Sequence, residues 1–130
     1  MPEFTGTGTI EKLDSERRVA YGWATVIEKS GEPVVDSQGD MIDEATLLDM
    51  AHGFIADVRA GKVMHGGRRV ADLVESMVFT TDLQKALGID LGKVGWMIAM
   101  KVRDEATWEK VKSGQYPAFS IGGFGDRVEV

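Results

Sequence analysis

Apolar and polar positions along the chain change period several times, and each change marks an element. From Arg17 to Lys29, "RRVAYGWATVIEK" is rich in β-branched and aromatic residues, which predicts a strand over about 18–28. "SGEPVVDSQGD" follows, punctuated by Gly31, Pro33 and Gly39, and reads as a turn and a structured loop. In "DEATLLDMAHGFIADVRAG", Leu47, Ala51, Phe54, Ile55 and Val58 recur at helical spacing. Asp43 is placed to cap this helix and Gly61 to end it. Gly53 inside it costs about 1 kcal/mol relative to alanine. "VADLVESMVF" (70–79) returns to a β-rich pattern. "TTDLQKALGIDLGK" reads as one helical turn and then a loop at Gly88 and Gly92.

"VGWMIAMKV" (94–102) is the most apolar run and predicts a central strand, since it is far shorter than the roughly 20 residues of a membrane span. In "DEATWEKVKSG", Asp104 caps, Trp108 and Val111 pack, and Gly114 stops the helix. "YPAFSIGG" and "DRVEV" complete the series as strands. Strands outnumber helices and do not alternate with them. The pattern therefore predicts an α+β domain, a small, mostly antiparallel β-barrel or twisted sheet flanked by two or three helices. Residues 1–16 are expected to be a flexible lead and residues 17–130 a single domain. Trp23, Trp96 and Trp108 are assigned to the core.

Composition narrows the function. With 15 basic against 21 acidic residues and a net charge of −6, the chain lacks the basic footprint of a nucleic-acid binder. The start "MPEFTGTGT" has neither the basic nor the apolar part of a signal peptide, and no membrane role is expected. The absence of cysteine excludes disulfides, thiolate metal sites and cysteine nucleophiles. "DSQGD" falls short of an EF-hand loop and reads as a turn feeding the helix. No metal or cofactor is called for.

The two histidines differ in setting. His52 lies within the first helix, at the edge of its packed face. His65, in "VMHGG", is followed by two glycines that leave one side of its ring clear. It reads either as a turn histidine or as a general base, for which an imidazole pKa near neutrality is suited. Ser120, in "FSIGG", reads either as a strand-end serine or as a nucleophile that needs such a base. The bare backbone at Gly122 and Gly123 would supply N–H donors to an oxyanion. A carboxylate should orient the base. Glu75 is the candidate, with Asp72 on the opposite strand face by parity and Asp126 beyond the glycine turn.

Taken together, "YGWATVIEKSGEPVVDSQGDMI", "MHGGRRVADLVES", "KALGIDLGKVGWMIAMKV" and "WEKVKSGQYPAFSIGG" resemble the XkdF-like serine proteases of tailed phages and prophages. These are similar to prohead maturation proteases, whose wider group shares its fold with herpesvirus assembly proteases. The resemblance covers about residues 18–127. It implies a small barrel with flanking helices and peptide-bond hydrolysis through an acyl-enzyme, with His65 as base and Ser120 as nucleophile. It also implies scaffold and major capsid proteins, and the chain itself, as substrates inside an immature phage head in the bacterial cytoplasm, with a homodimer as the expected assembly. Two departures stand out. Gly66 occupies a position that is acidic in many relatives, and no histidine follows Ser120. The competing class is a non-catalytic capsid-assembly module of the same fold.

Overall fold

The computed structural model describes residues 7–35, 39, 41–58, 71–115, 118–120 and 123–125. Its strands are β1 (Thr7–Asp14), β2 (Val19–Lys29), β3 (Glu32–Pro33), β4 (Ala71–Phe79), β5 (Lys93–Val102), β6 (Ala118–Ser120) and β7 (Gly123–Gly125). Its helices are α1 (Glu44–Val58), α2 (Thr81–Leu87) and α3 (Glu105–Lys112). The strands form one antiparallel sheet in the order β4-β5-β2-β1-β6-β7, with β3 on β2. β4 and β7 end this path, and no pairing among the described residues joins them into a barrel. The domain is α+β with a twisted sheet.

The helices begin where their caps dictate. The Thr46 amide donates to Asp43 Oδ1 at 2.7 Å. At α2, the Leu83 amide donates to Thr80 Oγ1 at 3.1 Å. At α3, the Thr107 amide and hydroxyl both donate to Asp104 Oδ2 at 2.9 Å. Each cap satisfies a first-turn N–H that has no partner within its helix. Gly88 follows α2 at φ 70° and Gly114 follows α3 at φ 88°, left-handed positions where glycine avoids a Cβ clash. The expected end of α1 at Gly61 lies outside the described residues, as does the strand expected at "DRVEV".

Between residues 80 and 93 there is more helix than the pattern suggested: α2 spans seven residues. The larger difference is β1. Its sequence "TGTIEKLD" carries few apolar positions, so it reads as part of the lead. Pairing with both β2 and β6 nevertheless places it inside the sheet. Backbone ladders, rather than apolar content, hold it there.

The core lies between one sheet face and the helices. Trp96 and Leu47 are fully buried at its centre. Phe54 of α1 meets Trp96 edge-on at 5.6 Å, and the Trp96 indole N–H donates to Ser76 Oγ at 2.8 Å. This bond removes the cost of burying a polar indole N–H. Trp108 and Val111 carry α3 onto the same cluster. All three tryptophans are buried, as their surroundings in the sequence predict.

A bulge in β4 determines which face its side chains occupy. Leu73 pairs with Met100 and Glu75 with Ala99, so Val74 is an extra residue with no partner on β5. An inserted residue reverses the alternation beyond it. Asp72 and Glu75 therefore share one face, the one opposite the core. This corrects the assignment of Asp72 to the other face, because simple parity counting fails across a bulge.

Candidate functional site

Ser120 is the last residue of β6, where its backbone pairs with Thr7 on one side and Gly123 on the other. The register leaves residues 121–122 as the whole connection between the paired Ser120 and Gly123. The strand-end reading of Ser120 is met, since it is the last residue of β6 and pairs with Gly123 of β7. Ser120 and Gly123 are thus neighbours. His65, Gly122 and Asp126 lie outside the described residues.

Glu75 is exposed on β4, and its Oε2 accepts a hydrogen bond from the Tyr21 hydroxyl at 2.9 Å. The register explains how two side chains on non-adjacent strands meet. Tyr21 on β2 and Glu75 on β4 both pair with Ala99 on the intervening β5. Ala99 is fully buried, and its methyl group leaves room for the phenol to cross the strand. Lys12 pairs with Tyr21 from the other side, with its ammonium 5.8 Å from the ring centroid. The hydrogen bond to the Glu75 carboxylate raises the Tyr21 pKa above its ordinary 10.0, with desolvation adding to the effect. Sequence reading missed Tyr21. It is legible only once the β2–β5–β4 register places residues 21, 99 and 75 in one lateral row.

One row further along, Asp72 pairs with Lys101 and forms an ion pair with Arg103 at 3.1 Å. This carboxylate belongs to a surface charge network on the same face. Such exposed pairs contribute little to stability individually.

In strand order, four ladders separate β4 from β6. At ordinary strand spacing this is about 19 Å across an unrolled sheet. Glu75 is therefore not a hydrogen-bonded neighbour of the Ser120 strand. His52 is exposed on α1 and lines a groove of about 650 Å³ between that helix and β4. Its place at the rim of the packed helix face agrees with its position in the sequence. Among the described residues, no helix is long and apolar enough to cross a membrane.

Residues 7–129 match the protein family described as "Putative phage serine protease XkdF". The chain is 31% identical over 123 residues to "Uncharacterized protein YqbD" of Bacillus subtilis (strain 168), covering 92% of this chain and 35% of that protein. It is 30% identical over 118 residues to "Phage-like element PBSX protein XkdF" of the same organism, covering 88% of this chain and 39% of that protein. The chain thus spans little more than a third of the length of these relatives. No solved structure matches it.

Proposed function

The chain belongs to the family of the phage protein XkdF, and from that premise we propose that it is a serine endopeptidase of a tailed phage or prophage, acting on scaffold and capsid proteins during head maturation. The observation that carries this reading is the family match, which spans both His65 and Ser120. Supporting it is the setting of Ser120, a strand-end hydroxyl beside a glycine-bearing hairpin.

In this mechanism His65 takes the Ser120 proton as the hydroxyl oxygen attacks a peptide carbonyl. Backbone N–H groups at Gly122 and Gly123 hold the resulting oxyanion, an interaction often worth about 3 kcal/mol per donor. The imidazolium then protonates the leaving amine. Water, activated by the same histidine, hydrolyses the acyl-enzyme and regenerates Ser120. Glu75 acts as the acid that orients the imidazole, its carboxylate fixed by the Tyr21 hydroxyl. That role requires coiling of the sheet to bring β4 back over β6. The reaction takes place within the immature head, with a homodimer as the working assembly.

The test is fluorophosphonate labelling together with a capsid- or scaffold-peptide cleavage assay. Labelling and cleavage are expected in the unaltered chain and absent from Ser120→Ala. His65→Ala is expected to lose both while keeping the melting temperature of the parent. Cleavage that survives Ser120→Ala refutes the assignment.

A further inference from the structure

Apart from Glu75, which belongs to both, the groove between α1 and β4 lies outside the catalytic assignment, and its two walls differ in chemistry. One wall is a helical stripe, Leu48, Ala51, His52 and Ile55, at the spacing that puts side chains on a single helix face. The other wall is β4, the end strand of the sheet path among the described residues. Val74 and Met77 there are 47% and 49% exposed, a high exposure for large apolar side chains on a strand. Leu83 and Thr80 close one end, and the neighbouring Thr81 hydroxyl ties α2 to α1 by donating to Glu44 at 2.9 Å.

The described lining is short of cations. Among the described residues, Glu75 is its only carboxylate and no lysine or arginine contributes. The chain as a whole carries −6. An acidic occupant would meet the Glu75 carboxylate, whereas a basic one finds a complementary partner there.

Resting on the endopeptidase reading, we propose that this groove is the docking site for the substrate chain, an extended peptide with apolar and basic residues in alternation, added antiparallel to β4. An end strand offers a row of outward backbone N–H and C=O groups that an extended segment can pair with. Side chains of an added strand alternate between faces. Those on the α1 side pack against Leu48 and Ile55, which calls for apolar residues. Those on the opposite side come level with Glu75 and Met77, which calls for a lysine or arginine with an aliphatic stem. The Val74 bulge is what turns Glu75 to that side.

The experiment uses the Ser120→Ala chain, so that nothing is cut, and three fluorescent octapeptides. One alternates valine with lysine, the second replaces lysine by glutamate, and the third is the lysine peptide N-methylated at every second amide. The lysine peptide is expected to bind about tenfold more tightly than either of the others. Its backbone amide NMR perturbations should fall on residues 71–79 and on the α1 stripe. Met77→Lys, at a half-exposed position that tolerates the change, should weaken binding by about tenfold. Leu91→Lys, outside the groove, should leave it unchanged. Equal affinity for the three peptides, or perturbations away from β4 and α1, overturns the proposal. With Ser120 restored, cleavage whose KM is unaffected by Met77→Lys refutes the groove and leaves the peptidase standing. Groove binding with no Ser120-dependent cleavage or labelling has the opposite consequence.

Discussion

Gln84 is one of two buried polar residues among the described residues, at 6% exposure, and every polar atom of its side chain is used. Its Nε2 donates to Phe79 O at 3.1 Å and to Lys93 O at 2.8 Å, and its Oε1 accepts from the Leu91 amide at 2.9 Å. The side chain thus ties the end of β4 to the start of β5 and pins the loop between them. The end of α2 and the loop after it present Leu87, Ile89 and Leu91 at 56%, 40% and 42% exposure. Gln84→Ala removes all three bonds and leaves two carbonyls without this donor. At about 1–2 kcal/mol for each stranded carbonyl, the loss is about 3 kcal/mol. An unfolding entropy of about 2.1 cal/mol/K per residue over 130 residues converts this to a fall of about 11 °C in melting temperature. Gln84→Glu is the sharper perturbation, because a carboxylate keeps an acceptor for Leu91 but faces two carbonyls with nothing to donate. At pH 7 it should melt below the alanine variant. Burial and the facing carbonyls raise the folded-state pKa of this carboxyl above the ordinary value of about 4.3, so as the pH falls toward that value the protonated carboxyl regains one donor and the gap between the two variants should narrow. Circular dichroism melts of the three proteins at both pH values measure this. An alanine variant within about 3 °C of the parent, or a glutamate variant no weaker than alanine at pH 7, would refute the reasoning.

Two further outcomes follow from close contacts and caps. A Cβ on Gly95 would lie 2.4 Å from Thr25 O, 3.0 Å from Val26 Cα and 3.1 Å from Trp23 Cε3. Since the first two obstacles are backbone in the central β2–β5 ladder, Gly95→Ala should cost about 3 kcal/mol, the upper end of overpacking penalties, read as a lower urea midpoint; an unchanged midpoint contradicts this. The Asp43 carboxyl lies below its ordinary 3.8 because the Thr46 hydroxyl and then its amide bond the ionised form. A depressed folded-state pKa gives stability that is present above 3.8 and lost as the pH falls through the folded value. Asp43→Ala should therefore melt below the parent at pH 7, and the gap should shrink at a pH below the depressed folded value. A gap of equal size at both pH values would show that the cap does not act through its charge.

Elements whose constraint is local were legible from the sequence. β2, β4, β5, α1 and α3 each carry a β-rich, apolar or helically spaced local pattern, and Asp43 and Asp104 mark the helix starts because each cap spans only four consecutive residues. Elements fixed by partners elsewhere were not. β1 owes its place to a ladder with β2, the next strand, and to one with the distant β6, and nothing in "TGTIEKLD" announces them. The Val74 bulge is equally silent, because a valine inserted into a β-rich run looks like one more strand residue. The error it caused had a cost, since it separated Asp72 from Glu75 when the two share a face.

The same division runs through the site. Ser120 was legible because its setting, a strand running into glycines, is local, and the β6–β7 register bears that setting out. The Tyr21–Glu75 bond was not, because it depends on residues 21, 99 and 75 falling into one row across three strands. The order of strands then limits any chemistry that joins Glu75 to Ser120. Adjacent strands rotate by roughly 20–25°, so four ladders accumulate about 90° and set β4 nearly crosswise to β6. In a flat sheet the acid and the hydroxyl would stay about 19 Å apart. Twist alone changes their relative direction, whereas coiling of the sheet is what shortens the gap. A serine mechanism that recruits Glu75 thus rests on sheet curvature, and one that relies on Ser120 and His65 alone does not. The Tyr21 bond acts on this difference: by holding the carboxylate to β2, it fixes Glu75 to the body of the sheet, so that the acid moves only as the sheet moves.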